Sequence, residues 1–486
     1  MGDMAMAIPW GIVLIVLPLA SAMMAFVWPR VAQTLALFCG LALVLGVAGL
    51  ALQLWRHGVF QHAGGGWDAP LGIGLYADGL SLLLLTATAL VGLAVSVYAA
   101  AYFTVEEGRR FWPLWLFLLG ALNALFLSAD VFNLYVTLEL LGLAAVSLTA
   151  LTGGKAALGG AMRYLLATLS GSLAYLLGVA LLYHAFGSVD IATLAGRITP
   201  VPAAWTALGL MSAGLILKTA LFPLHFWLPP AHASAPSPVS AVLSALVIKA
   251  SFYILLRLWL TLFGPLAGDG VAALLGLLGA GAVLWGSVQA LRQTRLKLLV
   301  AYSTVAQIGY LFLAFPLAAA ATVTAWNAAA YLALSHALAK AAMFLAAGNL
   351  LHFGGHDRIA DLDRVVQRLP LSAFAFALAG VSLMGLPPSG GFIGKWLLLE
   401  AALAQGRWDL VVVMLIGGLL AAAYVFKVLG KSFTQADVTH EPRAVPAPME
   451  WAALLLACGA ILLGFVAMPV LSLLGIGAPF GGGEGP

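Results

Sequence analysis

Four lysines, Lys218, Lys249, Lys340 and Lys395, fall inside long apolar stretches, and a single carboxylate, Glu139, lies deep in the first half within NLYVTLELLGLAAVSL. A charged side chain at the centre of a lipid-buried helix costs about 2.5–3.5 kcal/mol on insertion scales, so each needs a partner or a path to water. One acid balances one base. The surplus lysines must be neutral, because burial disfavours the charged form, or wetted. Either state suits a proton relay better than a set of balanced structural ion pairs. Three histidines accompany the lysines. His225 and His232 sit in a proline-rich stretch, and His336 precedes Lys340 by four residues, which puts the two on one helix face. Histidine titrates near neutral pH and can bridge lysines along a wire. A metal site is the rival reading, but no cysteine or carboxylate cluster accompanies them. A plain hydrogen-bonding role stays open for His232. Ser303, Thr304 and Gln307 could wet a path, while Asn123, Asn133, Asn327 and again Gln307 read as bonds between helices. His352 and His356, beside Asp357 and Arg358, read as a solvated loop. No residue pattern points to a catalytic centre, so whether the chain belongs to an enzyme is open.

These groups must be positioned by membrane helices. The chain of 486 residues is 63% hydrophobic and 8% charged, with mean hydropathy +1.06. Soluble domains carry about 25% charged residues, so a water-soluble fold is excluded. At about 20 apolar residues per span the length allows about fourteen helices. The 54 glycines suit close helix packing in lipid. A net charge of +4 over this length is no nucleic-acid signal. Cys39 and Cys458 lie in apolar runs and read as buried thiols, not a disulfide. Met1 to Ala7 has no lysine or arginine, which argues against a cleavable signal. The longest loops hold about twenty residues, too few for a nucleotide or redox-cofactor domain, so no cofactor is expected.

Lys and Arg in the loops set orientation. Arg30, Arg109, Arg110, Lys155, Arg163, Arg292, Arg295, Lys297, Arg358, Arg364, Arg368, Lys431 and Arg443 gather on one side, which is then cytoplasmic. Arg56, Arg197 and Arg407 lie on the other, with Arg257 near a helix end, and both termini are expected there. Lys427, near a helix end, can snorkel.

Two spans carry prolines where a helix would run. The seventh reads LILKTALFPLHFWLPPAHASAPSP and the twelfth SLMGLPPSGGFIGKWLLLE. Proline removes a backbone donor and breaks the helix. Such breaks are tolerated at membrane depth only where they are buried in protein or line a cavity. They are five helices apart, an odd offset, so equivalent helices cross in opposite directions. That describes an inverted repeat, and interrupted helices at matching places point to a transport site. Two unrelated kinks are the alternative, but a lysine near each break favours the repeat. The expected organisation is 1–111 for helices 1–3, 112–261 for the first five-helix unit, 271–431 for the second, and 450–486 for helix 14 with its tail.

The stretches DVFNLYVTLELLGLAAVSL, LKTALFPLHFWLPPAHASAPSPVSAVLSALVIKASFYILLRL, LKLLVAYSTVAQIGYLFLA, HALAKAAMFLAAG and GLPPSGGFIGKWLLLEA resemble the antiporter-like subunits of complex I and its relatives. The likeness covers helices 4 to 13, about two thirds of the chain. Among the branches it is most similar to the D-type subunit of Mrp cation/proton antiporters and to subunits of membrane-bound hydrogenases. The M type usually has glutamate where this chain has Lys395, and the N type matches PLHFWLPPAHASAPSP and HALAK less well. The long lateral helix of the largest relatives is not expected here.

The resemblance implies that Glu139 and Lys218 pair as a switch, that Lys249 connects, and that Lys340 and Lys395 lead to the exit, with His225 and His336 on a central polar axis and His232 nearby. It implies a multi-pass protein of the cell membrane, other membrane subunits as partners, and protons, with Na+ or K+ in addition, as cargo. The function implied is proton translocation in an Mrp-type antiporter. A redox-driven complex or an inorganic-carbon uptake complex are the alternatives. A self-sufficient transporter of an organic solute fits less well, because a solute needs a cage and these lysines form a row.

Overall fold

The structure is a computed structural model that describes residues 8–67, 72–318, 322–436 and 442–480. The Met1–Ala7 segment lies outside them. Helices α1 (Trp10–Val27) and α2 (Ala32–His57) lead into a small hairpin, β1 (Phe60–Ala63) antiparallel to β2 (Gly74–Ala77). Then come α3 (Gly79–Tyr102), α4 (Val105–Leu127), α5 (Val131–Thr149), α6 (Lys155–Phe186) and the short α7 (Ile191–Arg197). The first broken span is α8 (Pro202–Thr219) with α9 (Leu228–Ser234). The next begins as α10 (Ser237–Val242), loosens into a π-helical segment at Leu243–Val247, continues as α11 (Ile248–Leu258) and ends in a second π segment at Trp259–Phe263. The second half follows as α12 (Gly264–Arg292), α13 (Leu296–Phe312), α14 (Thr322–Gly354), the short α15 (Val365–Arg368), the broken pair α16 (Pro370–Met384) and α17 (Gly390–Ala404), and α18 (Trp408–Ser432). The described chain closes with α19 (Ala447–Leu462) and α20 (Ala467–Leu474).

Among the described residues, ten helices are long and apolar enough to cross a membrane, or eleven if the pair α19 and α20, bent by 82°, counts as one. That is fewer than the fourteen expected. One of the ten is the whole run Ser237–Arg292, which turns at Gly268 where φ is +60°. The pieces α9, α16 and α17 have 7, 15 and 15 residues, short of the ~20 a span needs.

Both expected breaks are present, and they are built alike. After α8, Ala220 takes a left-handed conformation (φ 56°), and Leu221 N–H returns to Ile216 O at 3.2 Å. After α16, Gly385 does the same (φ 83°), and Leu386 N–H returns to Val381 O at 3.1 Å. This closure satisfies helix-end carbonyls that would otherwise be stranded in an apolar environment. The chain restarts at α17 because the Ser389 hydroxyl caps Phe392 N–H at 3.1 Å. In each half the broken pair packs on the long helix before it, α8 on α6 and α16–α17 on α14.

The α6–α8 contact depends on two glycines. A Cβ at Gly214 would lie 2.3 Å from Gly171 O. Since Lys218 is one turn beyond Gly214, this close approach also sets the depth of that lysine. Gly214→Val is therefore expected to lose about 1–3 kcal/mol through overpacking. A lower melting temperature of the purified complex would show it; an unchanged one would mean the two helices separate at no cost.

Candidate functional site

Lys218 lies in the last turn of α8, at the first break. Its Nζ lies 3.1 Å from Glu139 Oε1 and donates to Thr168 Oγ1 at 2.7 Å. Glu139, on α5, also accepts the Ser172 hydroxyl of α6. Three helices thus meet at one ion pair. The lysine is 5% exposed and the glutamate 19%, so the acid is the less buried partner. Beside Lys218 lies a cavity of about 10 Å³ edged by Thr168, Trp227 and Ser251. That volume is about what one water needs.

Lys249 is fully buried at the start of α11, just after the first π segment. Its Nζ donates to Ser244 O at 2.8 Å, a carbonyl of that segment. Widened turns of this kind recur at functional sites. Ser244 Oγ bonds Thr304 Oγ1 of α13 at 2.8 Å, so the first half is tied by hydroxyls to the second.

In the second half, Lys340 Nζ donates to Val300 O at 3.0 Å and to Ser303 Oγ, both on α13. His336, one turn earlier on α14, is 2% exposed, and neither ring nitrogen has a protein partner. Lys395 donates to Leu383 O at 2.6 Å, a carbonyl at the end of α16, and its Nζ sits 4.2 Å from the centre of the Tyr310 ring. Gln307 Nε2 donates to the same Leu383 O at 3.2 Å. Ser303, Gln307 and Tyr310 follow at helical spacing and so form one stripe of α13 from Lys340 to Lys395.

Residues 128–422 match the family described as NADH:quinone oxidoreductase/Mrp antiporter, transmembrane. The chain belongs to that family. It is 36% identical to NADH-quinone oxidoreductase subunit N of Desulforudis audaxviator, over 95% of this chain and 96% of that one. It is 28% identical to the D-type subunit of the Na+/H+ antiporter of Bacillus subtilis, over 86% of each. Its fold matches a chain of the Mrp complex from Dietzia sp. DQ12-45-1b with TM-score 0.89 at 24% identity, over 97% of each chain. The identity is thus higher to an N-type than to a D-type relative, the reverse of the order drawn from the PLHFWLPPAHASAPSP stretch.

In this antiporter-family chain the remaining expected residues are less closely joined. His225 lies within the first break with ring neighbours Phe222 at 5.8 Å and Tyr302 at 6.4 Å. His232 is fully buried and stacks on Phe344 at 4.6 Å, with both ring nitrogens unpartnered.

Lys297 departs from expectation. Its place in the chain suggests a cytoplasmic loop, yet it is 3% exposed and donates to Ala235 O just past α9. The neighbouring Asp357 is also buried, bonded by Arg295 Nε at 2.9 Å, so the segment after α14 packs against the start of α13 instead of extending into solvent. Lys427 caps the end of α12, donating to Leu291 O and Gln293 O at 2.8 and 2.7 Å. Tyr424 joins the site without any signal in the sequence. Its buried hydroxyl faces Ser303 and Gln307 without closing a direct bond to either.

Proposed function

We propose that this chain carries protons across the membrane as one subunit of a multisubunit complex, along a row from Glu139 and Lys218 through Lys249, His336 and Lys340 to Lys395. The observation that supports the reading is the hydrogen-bonded stripe of α13, which reaches Lys249 through Thr304 and Ser244, Lys340 through Ser303, and Lys395 through Gln307 and Leu383 O. A row of titratable groups over two broken helices suits stepwise transfer. The single-water cavity beside Lys218 suits a gap that opens and closes. His225 and His232 flank the row as accessory bases, with Ser303, Thr304 and Gln307 as its wetted lining. The two units 112–261 and 271–431 would each supply half of the path, set in a cell membrane with the lysine- and arginine-rich loops in the cytoplasm and both termini outside.

The host complex has two readings. An Mrp-type cation/proton antiporter, moving Na+ or K+ against protons, is the one drawn from the signature stretches. A redox-driven complex is favoured by the 36% identity to an N-type relative. The proteins that copurify in mild detergent decide between them. Partners with iron–sulfur or flavin absorbance select the redox host. A set of small membrane proteins without such absorbance selects the antiporter. In either case the purified complex, placed in liposomes, should move protons. A well-assembled complex that moved none when energised would refute the reading.

A further inference from the structure

Helix α11 carries Lys249, Tyr253 and Arg257 at intervals of four, on one face. Two π segments bracket it. The far end of this face is the site of a buried ion pair. Arg257 donates to Asp78 through Nη1 at 2.5 Å and Nη2 at 2.8 Å, and to Tyr253 Oη and Ser81 Oγ at 3.2 Å each. Asp78 is 0% exposed and also caps α3 through Ser81 N–H at 3.0 Å. Beyond this pair are two cavities of about 480 and 610 Å³, both lined by Tyr76, Arg257 and Thr261. Asp190 stands at the edge of the first and Asp269 at the edge of the second. The β1–β2 hairpin lines the first, and Pro479 and Phe480 line the second, on the side where the loop cations of the sequence are few.

We propose that these cavities form a water-filled vestibule, and that the Arg257–Asp78 pair is the plug that keeps its protons from Lys249. The inference rests on Lys249 belonging to the relay. In the observed state the branch is shut twice. The Lys249 ammonium is drawn to Ser244 O, away from Tyr253. The guanidinium, which stays charged at any working pH, occupies the floor. A fixed arginine in a narrow passage repels hydrated protons. Asp78 is the base that would accept them, and both of its oxygens are engaged by Arg257.

The two halves of the plug are therefore unequal, and this separates a plug from a merely structural bridge. Arg257→Gln frees Asp78 as a proton acceptor facing the vestibule. In liposomes bearing the whole complex it should raise the passive proton leak at least fivefold, and adding Lys249→Met should remove the excess. Asp78→Asn leaves the cation in place and should not leak. Equal leaks from the two single variants, no leak from assembled Arg257→Gln, or a leak that survives Lys249→Met would each overturn the proposal. A second measurement stands apart from those variants. With Cys39→Ser and Cys458→Ser as background, Thr261→Cys in the intact complex should react with a membrane-impermeant thiol reagent added from the cation-poor face; no reaction would also overturn it. Lys249→Met alone tests the underlying relay: coupled transport that survived it would remove the relay reading, whereas loss of coupled transport with no Arg257→Gln leak removes only the plug.

Discussion

Glu139→Gln is expected to cut proton transport by the assembled complex at least tenfold. The substitution keeps the size and leaves an amide oxygen for the Ser172 hydroxyl, so the α5–α6 contact survives. What it removes is the charge 3.1 Å from Lys218. At an effective dielectric of about 20, unit charges this close interact by about 5 kcal/mol. The acid is 19% exposed, so the full figure is an upper bound. A tenfold effect needs only about 1.4 kcal/mol, so even a third of the interaction would produce it. In the proposed mechanism the pair holds a proton on Lys218 while closed and lets it go when parted; without the carboxylate the two states no longer differ. The measurement is proton uptake into liposomes, with subunit content checked on the same preparation. Parental transport at parental content would rule out the switch.

Lys395→Ala is expected to lower transport to the same degree, by blocking release. The ammonium bridges the two pieces of the second broken helix, from α17 to Leu383 O at the end of α16, beneath the Tyr310 ring. Alanine leaves that carbonyl to Gln307 alone and removes the last titratable group of the row. Lys395→Glu should retain part of the activity. A protonated carboxyl can donate to Leu383 O, whereas an ionised one is acceptor-only, so contact would be remade and lost in each cycle. Proton uptake by both variants, side by side in the whole complex, distinguishes the roles. If Lys395→Ala transported like the parent, the path would leave by another route. If Lys395→Glu were as inactive as Lys395→Ala, the lysine would be needed for more than titration.

Much of this organisation is legible residue by residue. An ion in an apolar run is conspicuous because lipid burial is costly, so Glu139, Lys218, Lys249, Lys340 and Lys395 stand out. The breaks are legible because Pro223 and Pro387 cannot continue a helix, a local constraint that packing does not lift. The hairpin β1–β2, the short α7 and the two π segments give no comparable signal, since each is set by what it packs against.

Lys297 and Arg257 show where local reading ends. Both sit at the edges of apolar runs, where a cation is as readily solvated as buried. Only the tertiary fold supplies the groups that decide: Ala235 O, 62 residues away, for Lys297, and Asp78, 179 residues away, for Arg257. Tyr424 is the same case, a tyrosine among apolar residues until α18 brings it to Ser303 and Gln307. Hydropathy adds up the composition of one segment. The state of a buried charge depends on donors and acceptors brought from distant segments, so the sequence determined which residues must find partners, and the packing of the helices decided which partners they found.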